Sequence, residues 1–205
     1  MSNEQILNDI KYARDIAQDG KYAPLLGGRI GLMWGCLLVP TLLFVGLTYM
    51  GITGANGSTI GMAWMAFGII GSILTFILSR SLADKAGINS VGNQVEQATW
   101  SASTMVLFGL AISVTYAVIF NDKPFWLYDI IMAIAFGTYA LNYFVLAKIS
   151  GEKALYIPTV ISFGLMVFIM AFLGQPFVYI VGAIGVIFTV IIPALTHLKN
   201  EPKNA

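Results

Sequence analysis

Four polar residues in one apolar stretch are the best candidates for chemistry in this chain. Asp129 is the only carboxylate inside a long apolar run, and Tyr128, Tyr139 and Asn142 share that run. The spacing of the two tyrosines and the asparagine places them on one side of a helix. Because an ionisable group inside an apolar span is by default a functional candidate, these residues could bind a solute or a proton.

A structural role explains the same residues equally well. Asp129 lies in the first turns of its predicted helix, where the positive end of the helix dipole favours an anion, and it could reach Lys123 or headgroup water. Tyr128, Tyr139 and Asn142 could instead form hydrogen bonds between helices. The sequence leaves both interpretations open.

Other signs of catalysis or of a cofactor are missing from the sequence. The only histidine, His197, lies at the end of an apolar run beside Lys199, where we expect a solvated helix terminus. A single histidine without a set of neighbouring Cys, Asp and Glu ligands predicts no metal site. The sequence contains no HExxH or GxSxG motif and no phosphate-binding glycine loop. We therefore expect a protein that is not an enzyme and that carries no cofactor.

Composition and hydrophobic patterning define the elements that must position these residues. Hydrophobic residues make up 58% of the 205-residue chain and charged residues only 10%, which predicts an all-α polytopic membrane protein. Residues 29–198 are expected to form one transmembrane bundle, followed by a short tail over residues 199–205. Each apolar run is near the length of about 20 residues that one crossing requires. The six predicted spans cover about residues 30–50, 60–79, 101–120, 125–147, 154–173 and 177–197.

Residues 1–28 differ from the rest because they are largely polar and charged. They predict a cytosolic amphipathic helix over about residues 3–18, followed by a turn at Pro24 and Gly27. This helix could lie on the loops of its own bundle or on lipid headgroups. Alternatively, it could dock to a separate cytosolic protein. The residues available for docking are Ile6, Leu7, Ile10 and Arg14.

The distribution of positive charge predicts the orientation of the bundle. Of the 11 Lys and Arg residues, all except Lys123 fall in the segments on the side shared by the two termini. Because Lys and Arg are retained in the cytoplasm, both termini are expected there. We expect a multi-pass protein of the plasma (inner) membrane of a bacterium. A net charge of +1 gives no indication of direct nucleic-acid binding.

Small residues recur at helical spacing along several of the predicted spans. They allow helix backbones to approach closely, which drives association in lipid. The sequence favours packing within the chain, although a homodimer seam would use the same residues. The glycines concerned are Gly27, Gly31, Gly35, Gly61, Gly68, Gly109 and Gly185.

Three stretches carry a resemblance to a known group of proteins. They are GGRIGLMWG, WMAFGIIGSILTFILSR and VYIVGAIGVIFTVIIPAL. Through them the chain resembles small, uncharacterised six-helix bacterial inner-membrane proteins that are often encoded beside winged-helix transcriptional regulators. The resemblance implies a membrane regulator or sensor that acts on a cytosolic partner, such as a regulator of that winged-helix kind.

Two other classes share the same architecture. The substrate-binding subunits of energy-coupling-factor vitamin transporters also have six helices and cytoplasmic termini, and Gly27, Gly31 and Gly35 would then face the energising subunit. An accessory subunit of a larger membrane complex would pack through its glycine faces without chemistry. The sequence therefore favours a regulator, with a solute-binding protein or an accessory subunit as alternatives.

Overall fold

The computed structural model describes Gln5 and residues 23–201. Every regular element within these residues is helical, and six helices are long and apolar enough to cross a membrane. The prediction of an all-α protein with six potential spans is therefore confirmed. The predicted N-terminal helix, with its docking residues Ile6, Leu7, Ile10 and Arg14, lies outside the described residues apart from Gln5, and so does the end of the tail.

The helices follow one another along the chain with short connections. A 3-10 turn, Lys153–Leu155, leads into the fifth helix, and a π-helical segment, Ile187–Ile191, interrupts the sixth. The helices are α1 (Gly28–Tyr49), α2 (Gly57–Leu82), α3 (Val91–Phe120), α4 (Leu127–Ser150), α5 (Tyr156–Ala171) and α6 (Phe177–Asn200).

The start of α3 differs from the sequence prediction. Residues 80–100 were expected to form a connection, but α3 begins at Val91 and has 30 residues. Ser90 caps the helix by accepting a hydrogen bond from the backbone N–H of Asn93 at 3.3 Å. A helix of this length extends for about 45 Å, so its polar first turns project beyond a hydrocarbon core of about 30 Å. The hydropathy pattern missed these helical turns because their residues are polar.

The core lies between α1, α4, α5 and α6. Leu42 and Val45 of α1 meet Phe136 of α4, Ile169 of α5 and Val186 of α6 in one buried cluster. Helix α6 is the most enclosed helix, with 56% of its apolar window buried, whereas only 6% is buried in α2. Helix α2 packs on the rest of the bundle mainly through α1, and α3 packs on it mainly through α4. The outer faces of α2 and α3 are left for the membrane.

Glycines bring α1 and α6 into close contact. A Cβ atom added at Gly35 would lie 2.6 Å from Cγ1 of Ile191, and one at Gly31 would lie 3.3 Å from Cβ of Ala194. At Gly28 it would lie 2.8 Å from the backbone oxygen of Ala194. The two helix backbones can therefore approach only because these positions lack side chains.

Three of the predicted packing glycines have a different environment. An added Cβ atom at Gly61, Gly68 or Gly109 would meet nothing within 4 Å in the described part of the chain. Among the described residues these three positions therefore make no close contact with another helix, because α2 and α3 turn these faces away from the bundle. Gly185 of α6, in contrast, has no room for a side chain, since its added Cβ would lie 2.5 Å from Cδ1 of Leu165.

Candidate functional site

Two groups of polar residues, most of them buried, lie at opposite ends of the bundle. The near end is the end at which α1 begins and α6 finishes, and the far end is the opposite one. The near-end cluster consists of Asn93, Glu96, Glu152 and His197, which are drawn from α3, from the α4–α5 connection and from α6. Asn93 and Glu96 bind residues 23–27, the N-terminal lead, through which the chain enters α1, and His197 lies beside Gly28 at the start of α1.

Asn93 ties the N-terminal lead to the start of α3. Its side-chain oxygen accepts a hydrogen bond from the backbone N–H of Leu26 at 2.8 Å, and its amide nitrogen donates to the carbonyl of Pro24 at 3.0 Å. Leu25 and Leu26 are buried beside it. Because an unpaired buried amide costs free energy, these two bonds fix the path of the lead.

Glu96 holds the next residue of the lead. Its carboxylate accepts a hydrogen bond from the backbone N–H of Gly27 at 3.1 Å, and only 6% of the residue is exposed. A side chain at Gly27 would collide with this carboxylate. The glycine at position 27 therefore allows a buried acid to contact the backbone directly, in addition to any role in helix packing.

His197 lies on the other side of the same turn. The expectation of a solvated helix terminus is wrong here, because His197 is only 6% exposed and its Nε2 lies 3.6 Å from Oε2 of Glu152. The α4–α5 connection brings Glu152 against the end of α6. The sequence does not indicate this contact, because Glu152 and His197 are far apart along the chain. The contact with His197 and its positive charge hold the pKa of the Glu152 carboxyl below its usual range, although burial opposes this.

An ion-pair group closes the near end beside this cluster. Glu201 receives a hydrogen bond from Nε of Arg29 at 2.9 Å, and its other oxygen lies 2.8 Å from Nη2 of Arg29 and 3.3 Å from Nζ of Lys85. Burial acts to raise the pKa of Glu201, but the bonds and charges of Arg29 and Lys85 outweigh it and lower this pKa. The start of α1, the α2–α3 connection and the end of α6 are thereby joined.

Asp129 is the centre of the polar group at the far end. It is 3% exposed, accepts a hydrogen bond from the hydroxyl of Tyr179 at 2.6 Å, and accepts another from the backbone N–H of Gly174 at 2.7 Å. The ring of Tyr49 packs against that of Tyr179, with the centroids 5.4 Å apart and the planes tilted by 43°. Asp129 therefore joins α4 to α6 and to the α5–α6 connection, with both carboxylate oxygens engaged by the chain itself.

The other three predicted ligand residues face a different helix. The amide of Asn142 exchanges hydrogen bonds with the hydroxyl of Ser103 at 3.0 and 3.2 Å. The hydroxyl of Tyr128 donates to Oγ1 of Thr115 at 3.3 Å. The ring of Tyr139 packs edge-on against a tryptophan of α3, Trp100, at 5.3 Å. Tyr128, Tyr139 and Asn142 thus face α3, and the structure does not bring Asp129 together with them.

No metal site emerges from the described residues, since they contain no group of three or more His, Cys, Asp or Glu placed to hold an ion. The near-end cluster was missed by sequence reasoning because its residues come from three distant segments. One signal was available: Asn93, Glu96, Trp100 and Ser103 follow the 3, 4, 3 spacing of a single helix face. Recognising residues 91–100 as helix would have placed the carboxylate of Glu96 on the face of α3 that turns toward the bundle.

Comparison with known proteins gives no match to a family model, to a curated protein or to a solved structure.

Proposed function

We propose that this chain is a non-enzymatic membrane protein that regulates or senses through a cytosolic partner docked on its N-terminal segment. The observation that carries the proposal is the fixation of the N-terminal lead. Three hydrogen bonds hold residues 24–27 at the near end: Leu26 and Gly27 donate to Asn93 and Glu96, and Asn93 donates to Pro24. A partner that pulls on the residues before the lead would therefore act directly on α3 and on the start of α1.

The charges at the near end support a cytoplasmic location for this docking region. Six of the cations in the described residues lie there or on the helix ends that lead to it, and Lys123 lies in the α3–α4 connection at the far end. Positive residues are retained on the cytoplasmic side of bacterial membranes. The near-end cations are Arg29, Arg80, Lys85, Lys148, Lys153 and Lys199.

The hydrogen bonds that the candidate ligand residues already make support a regulator over a solute-binding protein. Asp129 already accepts hydrogen bonds from Tyr179 and Gly174, and Asn142 is paired with Ser103. A solute would have to displace these bonds before it could use the same groups. The resemblance noted from the sequence favours a winged-helix regulator as the cytosolic partner.

Deletion of residues 2–18 tests this proposal. We expect the truncated protein to insert normally, because the six helices and Arg29 remain, and to lose co-purification of the partner together with its phenotype. A finer variant, Leu7→Asp with Ile10→Asp, should have the same effect if the apolar stripe is the docking surface. The matched control is Lys11→Gln, a change on the polar side of the predicted helix, which should retain the partner.

The variant Asp129→Asn tests the alternative function, solute binding, in the same experiment. It alters the far end, across a barrier of about 30 Å, and should leave partner binding intact. Full activity of the truncated protein, with loss of uptake or of a retained small molecule in Asp129→Asn, would instead indicate a solute-binding protein of the vitamin-transporter type. Normal behaviour of both variants would leave an accessory subunit and would overturn the regulator proposal.

A further inference from the structure

The N-terminal lead enters α1 between Glu96 of α3 and the turn of α6 that carries His197. Glu96 of α3 accepts the hydrogen bond of Gly27 at 3.1 Å. On the opposite side, a Cβ atom added at Gly28 would lie only 3.0 Å from Cβ of His197 and 2.9 Å from the backbone nitrogen of Leu198. Two consecutive glycines are therefore clamped between the buried carboxylate of Glu96 and the turn of α6 that carries His197.

A second acid completes this arrangement. Oε2 of Glu152 lies 3.6 Å from Nε2 of His197, and that nitrogen, although buried, makes no hydrogen bond. Glu96 and Glu152 interact electrostatically with His197 and also repel each other. A protonated imidazole would therefore offset the repulsion between these two like charges, whereas a neutral one would leave it uncompensated in a partly buried region.

We propose that Glu96, Glu152 and His197 form a proton-binding site that holds the N-terminal lead against the bundle while His197 is protonated and loosens it when His197 is neutral. Histidine is the side chain whose charge ordinarily changes between about pH 5 and 8. A test of the site therefore spans this pH range. Its use as a signal of acidity to a partner rests on the proposed function, but the proton site itself does not.

Other charged groups at the near end do not account for a response in this range. Glu201 faces Arg29 of α1 and Lys85 of the α2–α3 connection, and Lys199 lies exposed in the last turn of α6. Because the pKa values of both Glu152 and Glu201 are lowered, their contributions to stability are complete above about pH 4.5 and are lost only on further acidification. Both stay ionised while a histidine titrates.

Hydrogen exchange of the lead measures this device directly. In the full-length protein in detergent, we compare the protection of the amides of Leu26 and Gly27 at about pH 6 and about pH 8, each corrected for the intrinsic exchange rate. We expect protection to fall about tenfold at the higher pH, because repulsion between Glu96 and Glu152 weakens the clamp. The Gly174 amide, bonded to Asp129 at the far end, serves as the internal control and should not change.

Substitutions assign the response to the three residues. His197→Gln should make the protection of the lead independent of pH, and Glu152→Gln or Glu96→Gln should reduce the difference by at least half. Lys199→Gln, in the same helix turn but exposed, should retain the wild-type response. Because the chain contains a single histidine, its one imidazole NMR signal should titrate together with the protection change.

Two outcomes would overturn the proton site. One is equal protection of the lead at both pH values in the wild type, and the other is a wild-type response in His197→Gln or in both glutamine variants. Since no partner is present, failure here leaves the truncation experiment unaffected. Conversely, the proton site could respond to pH as expected while deletion of residues 2–18 leaves partner binding unchanged. That result would refute only the proposed function.

Discussion

Asp129 illustrates how much of the environment of a single buried residue its sequence position can indicate. Its place in the first turn of α4 and its apolar surroundings made it the best chemical candidate in the sequence. The sequence could not reveal Tyr179 as its partner, because the two residues are 50 positions apart and come together only when α4 packs on α6. Distance along the chain, rather than any unusual chemistry, set this limit.

Removing the Asp129 carboxylate should destabilise the bundle. Asp129→Ala leaves the Tyr179 hydroxyl and the Gly174 amide without an acceptor, and we expect a loss of about 1–3 kcal/mol, with Asp129→Asn intermediate because its oxygen can still accept one bond. Thermal unfolding in detergent measures this. Asp122→Asn is the control: it is an exposed carboxylate at the same end with φ of 51°, a conformation that asparagine tolerates.

A double-mutant cycle with Tyr179→Phe separates this bond from general packing. The coupling energy should be about 1–2 kcal/mol if the hydroxyl and carboxylate depend on each other. An additive pair, or an Asp129→Ala variant as stable as Asp122→Asn, would show that the 2.6 Å contact contributes nothing to stability.

At the scale of the elements, hydropathy located all six helices because each must satisfy its own backbone hydrogen bonds across the apolar layer. It located helix ends less well where polar residues continue the helix beyond that layer. The first turns of α3 are the clearest instance, since Asn93 and Glu96 are buried by the N-terminal lead rather than by lipid. Burial of this kind arises from tertiary contact, which local patterning does not contain.

The glycines also show that local patterning does not contain tertiary contacts, because glycines that looked alike in the sequence have different surroundings in the structure. Gly35→Leu should collide with Ile191 of α6 and cost about 1–3 kcal/mol, as overpacked cores do. Gly61→Leu, which meets no described atom within 4 Å, should leave the melting temperature of the monomer unchanged. Equal melting curves for the two variants would mean that α1 and α6 do not pack as closely as described.

On the scale of the whole molecule, polar clusters occupy the two ends of α6 and an apolar core lies between them. His197 joins α6 to the near end and Tyr179 joins it to the far end, while the π-helical segment Ile187–Ile191 lies midway. Helix α6 is also the most enclosed element. A change in its near-end contacts would therefore be resisted at the far end by Asp129, which makes local release of the N-terminal lead easier than movement of the whole helix.

The orientation of this assembly in the membrane is the remaining prediction. Reporters fused after Ala205 and inserted at residues 84–89 should read as cytoplasmic, and one at residues 54–58 should read as external, because the near end carries the cations. The second insertion must stop short of Val91, since α3 starts there and Asn93 secures the lead. Substituting Lys148 and Lys153 with glutamine should weaken the orientation without altering the helices, whereas Lys123→Gln should not. An external reading at residues 84–89 would reverse the topology and would place the proposed docking region away from any cytosolic partner.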